Sequence, residues 1–268
     1  MTTWLRFDSG GTAGFGTLDG DFIDEHEGDL FASPTPTGRR FALADVQIVL
    51  PCRPSKFLAL WNNDHAQAEK QGLSTPEEPL YFIKASSSYL AHGESINVPP
   101  GYDGRVVYEG ELGLVIGKVC RNLAPEEAEQ AIFGVTCVND VTAIDLLQKD
   151  PSFPQWTRAK GIDTFGAFGP TIVTGLDIRT LRVRTQVNGR ERQNFPCSGM
   201  IFSAAQIVSA MSRCMTLMPG DLIACGTSSG VLPMKPGTVV EVIIDGVGTL
   251  RNTYGSVPTP EHSSGGPS

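Results

Sequence analysis

The sequence predicts a β-rich α+β fold with few, short helices, and three observations carry that expectation. Thirty glycines and nineteen prolines cut the 268 residues into short apolar runs, a punctuation that suits strands and turns better than long helices. Hydrophobic residues make up 40 % of the chain and charged residues 19 %, which places it among chains that bury a core rather than among disordered ones. Helical periodicity is confined to a few segments, and at ~150 residues per domain the length suits one large domain or two small ones.

In chain order, residues 1–50 read as a small N-terminal subdomain, with Gly10, Gly11, Gly14 and Gly16 and the loop Ser33-Pro34-Thr35-Pro36-Thr37-Gly38. Its glycines do not precede a helical pattern, so they do not form a nucleotide-phosphate loop. Residues 51–255 follow as the main domain. A short helix is expected from Asn63 to Gln71, stopped by Gly72, and another from Asn122 to Phe133, where Pro125, Glu126 and Glu127 suit a first turn. A third runs from Ser203 to Met215, with a serine N-cap and Ile207, Val208 and Met211 on one face. Residues 256–268 are nearly devoid of apolar side chains and are expected to be a disordered tail.

Charge and composition exclude several functions. With 21 basic and 29 acidic residues the formal charge is −8, and a chain without a basic face does not displace counterions from a phosphate backbone. Nucleic acid is therefore set aside. Apolar runs such as Leu112–Ile116 and Leu222–Cys225 fall far short of the ~18 residues that span a bilayer, and residues 1–10 lack the pattern of a secretory signal. A soluble, cytoplasmic protein without a membrane partner is expected. Six dispersed cysteines without CxxC or zinc-type spacing read as reduced core residues.

Chemistry concentrates in a few stretches. In Val106–Lys118 (VVYEGELGLVIGK), Glu109 and Glu111 stand two apart in a strand-like run, which puts both carboxylates on one face together with Gly113, Val115 and Gly117. Tyr108, Leu112, Leu114 and Ile116 take the other face. Neither side looks solvated, so two adjacent anions would be costly without a cation; an edge strand with a polar face is the structural alternative. Asp140 ends the apolar run of Ile132–Asp145, where it could join them or cap a helix, with Thr142 and Asp145 spaced as a capping box. Three such carboxylates form a hard oxygen site suited to Mg²⁺ or Mn²⁺. Lys160, amid glycines and phenylalanines, is by itself a surface lysine. His65 sits beside Asp64 with Glu69 one turn on, so that a carboxylate could orient an imidazole base, or both could be structural. The Gly226-Thr227-Ser228-Ser229-Gly230 loop could hold a carboxylate or be an ordinary turn.

Taken in order, YEGELGLVIG (108–117), VNDVTAIDLL (138–147), KGIDTFGAFGP (160–170), VNGRERQ (187–193), MPGDLIACGTSSGV (218–231) and GVGTLRN (246–252) resemble the fumarylacetoacetate hydrolase family from about residue 53 to 254. The resemblance implies a fold of layered mixed β-sheets with a small N-terminal domain, often in a homodimer. It implies Glu109, Glu111 and Asp140 as metal ligands, His65, Glu69 and Lys160 as catalytic residues, and Gly226, Thr227 and Ser228 as substrate-binding residues. Three departures stand out: the family's lid pairs histidine with glutamate three residues on, where this chain has Ala68; an arginine usual after the aspartate motif is Ile144; and the usual Gly-Thr-Pro is Gly-Thr-Ser.

The expected activity is Mg²⁺- or Mn²⁺-dependent C–C bond hydrolysis of a small anionic 2-oxo acid of the acylpyruvate or fumarylacetoacetate type. Such a site polarises the 2-oxo group and stabilises an enolate. The same enolate would serve an oxaloacetate-type decarboxylase or a keto–enol isomerase. Ala68 and Ile144 also leave open a catalytically inactive protein that binds metal and 2-oxo acid.

Overall fold

The computed structural model describes residues 1–255; the expected tail lies outside the described residues. From the N-terminus come β1 (Thr2–Ser9), β2 (Thr12–Asp19), β3 (Phe22–Glu27), β4 (Thr35–Ala42) and β5 (Gln47–Val49). They are followed by β6 (Phe57–Trp61), α1 (His65–Gln71), β7 (Leu80–Lys84), β8 (Tyr89–Leu90), β9 (Ser95–Ile96), β10 (Val106–Val107) and β11 (Gly110–Ile116). Next stand α2 (Pro125–Glu129), β12 (Ile132–Asp140), β13 (Thr142–Ala143), α3 (Ile144–Leu147), α4 (Trp156–Lys160) and β14 (Gly166–Thr174). The chain then adds β15 (Arg182–Val187), β16 (Arg190–Pro196), α5 (Ala204–Cys214), β17 (Leu222–Ala224), β18 (Thr238–Ile244) and β19 (Gly248–Tyr254). This is the strand-rich, mixed-sheet architecture the sequence predicts.

The largest sheet runs β4-β3-β2-β1-β14-β12-β11-β17-β6-β7, and β8 pairs back onto β14. The second half of that sheet therefore curls into a ring. Because strand side chains alternate between faces, one set, including Phe57, Val115, Val138, Phe168, Leu222 and Ala224, fills the ring interior. The other set, including Leu112, Leu114 and Ile116 of β11, joins the larger core outside it. There the second sheet, β16-β15-β18-β19-β9, contributes Val183, Val242 and Leu250, and α5 contributes Ile207, Val208 and Met211. Both faces of β11 are buried, as its pattern suggests.

The N-terminal strands have their own small core of Leu5, Phe7 and Ile23, yet β1 pairs with β14 and merges them into the main sheet. Their glycines answer to packing: a Cβ on Gly14 would lie 2.8 Å from the Phe7 ring, and one on Gly16 would lie 2.3 Å from the Asp24 carbonyl oxygen.

Two helices follow the sequence closely. Asp64 accepts from the Gln67 amide at the start of α1, and Gly72 ends it in the left-handed conformation. Ser203 and Gln206 form a reciprocal capping box on α5. Three expectations are corrected. The helix expected over residues 122–133 shrinks to Pro125–Glu129, because Ile132 pairs with Ile116 and starts β12; a central sheet position outweighs weak helix propensity. The capping roles of Asp140, Thr142 and Asp145 do not form, since α3 begins after Ala143 without a side-chain cap and Asp145 pairs with Arg105 instead. Five cysteines are buried and unpaired, but Cys214, at the end of α5, is exposed. No helix among the described residues is long and apolar enough to cross a membrane.

Candidate metal centre

Glu111 is the second residue of β11 and faces the ring interior in line with Val115, while Asp140 closes β12 in line with Val138. Glu109 stands one residue before β11. Its backbone is fixed on both sides, the amide donating to Asn139 Oδ1 (3.0 Å) and the carbonyl accepting from the Asp140 amide (2.8 Å). Oxygens of the three carboxylates lie within 4.8 Å of one another. The spacing of the sequence thus gathers at the ring mouth.

Two lysines complete the cluster. Lys160 is not a surface residue; it is 4 % exposed, and its Nζ donates to Glu109 Oε2 (2.6 Å) and Asp140 Oδ2 (2.5 Å). Trp156, one turn earlier on α4, stacks on Phe82 of β7 with ring centroids 5.0 Å apart, which seats the short helix. The second lysine, Lys84, was not singled out from the sequence. It ends β7 on the face shared with Phe82, is 1 % exposed, and donates to Asp140 Oδ1 (2.5 Å). Its sequence signal, a lysine closing an apolar run, is too common to select it.

The remaining oxygens are unequally served. Thr142 donates to Glu109 Oε1 (3.1 Å), and the Gly226 amide donates to Glu111 Oε2 (2.7 Å). Glu111 Oε1 is buried with no partner. Burial, then Asp140 and Glu109, push the Glu111 carboxyl well above the ordinary glutamate value. Burial raises Glu109 as well. Asp140 behaves oppositely: burial alone would raise it, but Lys160 and Lys84 hold it below the ordinary aspartate value. Burial would lower Lys160, yet Asp140, Glu109 and Glu111 raise it, whereas burial dominates at Lys84 and lowers it.

Three carboxylates against two ammonium groups leave one negative charge if all are ionised, in a site whose Glu111 and Asp140 are fully buried. An oxygen-only donor set, one oxygen of it orphaned and buried, fits a hard divalent cation. Bound there, the cation would turn the local charge from −1 to +1, which welcomes an anionic ligand.

Of the other candidates, the Gly226–Ser228 loop lies beside this cluster, and no contact brings His65 or Glu69 to it among the described residues. The amide of Gly226 reaches Glu111, the Thr227 hydroxyl donates to the Gly110 carbonyl (2.9 Å), and the Ser228 hydroxyl donates to Asp64 Oδ1 (2.8 Å). Gln193, buried and also missed by the sequence reading, braces the loop: its Nε2 donates to Thr227 Oγ1 and the Ser228 carbonyl, and its Oε1 accepts from the Gly110 amide. His65 and Glu69 are both exposed on α1. No hydrogen bond joins them among the described residues. Ile144 stands at the first turn of α3, and the nearby Arg105 is held by Asp145.

A ringed sheet with this acidic mouth defines a class. The family model for the fumarylacetoacetate (FAA) hydrolase C-terminal domain matches residues 56–254, and the chain belongs to the fumarylacetoacetate hydrolase family. A second model, Rv2993c-like N-terminal, matches residues 3–51. Among individual proteins, the chain is 39 % identical to Protein Rv2993c of Mycobacterium tuberculosis over 251 residues, covering 89 % of this chain and 92 % of that protein. It is 35 % identical to the oxaloacetate tautomerase YisK of Bacillus subtilis, covering 80 % and 75 %. The crystal structure of a 2-hydroxyhepta-2,4-diene-1,7-dioate isomerase from Mycobacterium marinum superposes with a TM-score of 0.87 at 35 % identity, covering 96 % of this chain and all of that one.

Proposed function

We propose that this chain is a divalent-metal-dependent enzyme that carries a small anionic 2-oxo acid through its enolate, with keto–enol isomerisation as the reaction. Glu109, Glu111 and Asp140 would hold Mg²⁺ or Mn²⁺. The observation that carries the reading is the convergence of these three carboxylates with one unpartnered oxygen and two buried lysines. When bound, the cation supplies Lewis-acid polarisation of the 2-oxo oxygen. Lys160, whose charged form the neighbouring carboxylates favour, would donate to the oxygen where negative charge develops as the C3 proton passes to, or returns from, solvent water. Lys84 backs Asp140 from inside the ring by donating to its Oδ1. The Gly226, Thr227 and Ser228 loop borders the ligand on the Glu111 side.

Isomerisation is preferred because it needs no activated water, and His65 and Glu69 do not form an oriented pair in this structure. The names of YisK and of the M. marinum protein, a tautomerase and an isomerase, support the same class. A second reading, C–C bond hydrolysis of acylpyruvates, is favoured by the placement of His65 on the helix whose cap touches the Gly226–Ser228 loop; there His65, helped by Glu69, would activate water.

The test is ultraviolet monitoring of enol-oxaloacetate and of an acylpyruvate. Turnover of the enol should require Mg²⁺ and fall by on the order of 10²-fold or more in Glu109→Gln; equal rates in EDTA would overturn the reading. His65→Ala should retain isomerisation. A wild-type protein that cleaves the acylpyruvate, with cleavage lost in His65→Ala, would establish the hydrolytic alternative.

A further inference from the structure

We propose that Ser228 is a positioning residue for His65 and acts through Asp64. The inference rests on the second, hydrolytic reading above, in which His65 activates water. His65 is the first residue of α1, so its place is set by the two residues before it. Asn63, 2 % exposed, is stapled three ways: its Nδ2 donates to the Cys225 carbonyl (2.8 Å), its Oδ1 accepts from the Phe202 amide (2.8 Å), and its carbonyl accepts from the Ile201 amide (3.0 Å). The backbone of Asp64 then bridges to Met200. The chain enters α1 from a fixed point.

What remains to be set is the direction of the helix, and that falls to the Asp64 side chain. Its Oδ1 caps the first turn by accepting from the Gln67 amide (2.8 Å), and the same oxygen accepts from Ser228 Oγ (2.8 Å). A seven-residue helix has little stability of its own, so its cap governs its order. Asp64 and Ser228 are each 4 % exposed, and a carboxylate this buried needs its hydrogen bonds. The serine hydroxyl supplies one and fixes the rotamer that makes the cap.

The other side of the same loop reaches the carboxylate cluster. Gly226 donates to Glu111, Thr227 to the start of β11, and Ser228 to the α1 cap. Three consecutive residues thereby hold the His65 helix at a set distance from the proposed metal ligands.

The experiment uses the full-length protein. In Ser228→Ala, hydrogen exchange across α1 should quicken by about five- to tenfold, the weight of one buried hydrogen bond, and kcat for the His65-dependent reaction should fall by a similar factor while KM stays within about twofold. Ser228→Thr should restore both. In an Asp64→Ala background, Ser228→Ala should add no further loss, because both changes remove one contact. Unchanged α1 exchange in Ser228→Ala overturns the proposal, as does a rise in KM with kcat intact, which would mean that the hydroxyl touches substrate. If His65→Ala leaves every reaction unaltered, the reading of His65 fails instead, and hydrogen exchange still decides whether Ser228 anchors α1.

Discussion

Asp221 and Glu111 are both fully buried carboxylates, Asp221 paired with Lys56 and Glu111 feeling the charge of Lys160, and only Asp221 has partners on both oxygens. Asp221 Oδ1 accepts from Ser55 Oγ (2.6 Å) and the Lys56 amide (3.1 Å), while Oδ2 accepts from the Met218 amide (2.7 Å) and from Lys56 Nζ. It ties the entry of β6 to that of β17, and its hydrogen-bonding capacity is used within the protein. Glu111 has one backbone donor and one oxygen left over. Burial and a nearby lysine therefore do not separate a structural acid from a ligand. Incomplete satisfaction is what marks Glu111 among the buried carboxylates of the described residues, and a buried acid left one partner short is a candidate for holding a bound group.

The sharpest way to break this contrast is to remove each acid. Asp221→Ala leaves Lys56 and two backbone amides unpaired near the sheet, and breaking such a buried pair costs about 3 kcal/mol or more. Urea unfolding should show that loss, with Mg²⁺ affinity of the folded protein changed by less than about twofold. A loss below roughly 1 kcal/mol would put Asp221 among weak surface-like pairs. Glu111→Gln should reverse the pattern. Mg²⁺ affinity, measured by calorimetry, should drop on the order of 100-fold, while the metal-free protein melts at the same or a higher temperature, because a neutral amide replaces an isolated buried acid.

How much of this was legible depended on whether the information was local. The period of two between Glu109 and Glu111, continued by Val115 and opposed by Leu112 and Leu114, is a strand property, and both the burial of β11 and the facing of Glu111 follow from it. The caps of α1 and α5 are equally local. Lys84 and Lys160 were not legible from spacing, because their meaning depends on β8 returning to β14 and on α4 docking over β7, pairings that no short window contains. Asp140 was ambiguous for a related reason: local spacing offered a helix cap, and only the register that sets Asn139 opposite Gly110 carries Asp140 to Glu109. The spacing of His65 and Glu69 suggested a pair, yet both side chains are exposed. The family resemblance supplied the proposed ligand set; geometry added the second lysine and the orphan oxygen.

The smallest expected effect is also the most diagnostic, because it separates carboxylates within the cluster itself. Glu111 has its folded value raised above 4.5 by burial and by Asp140 and Glu109. Its protonated form is thus favoured in the metal-free fold, a contribution fully present below the unfolded value and lost as pH rises through the raised one. Asp140 has its value lowered below 3.8 by Lys160 and Lys84 against the pull of burial. Its contribution is present above 3.8 and lost only as pH falls through the lowered value. A cation bound as proposed would compete with a proton at Glu111, whose protonated form burial favours, but much less at Asp140, which the two lysines favour ionised. Mg²⁺ affinity should therefore climb by up to about tenfold per pH unit for each proton released, then level off above the raised Glu111 value. Calorimetry in buffers of different ionisation enthalpy counts those protons directly. Release should be present in the wild type and in Asp221→Ala, and reduced in Glu111→Gln to what Glu109 alone contributes. Binding that releases no proton at any pH between the ordinary glutamate value and neutrality would mean that Glu111 is ionised without the cation, and the distinction between a completed acid and a waiting one would fail.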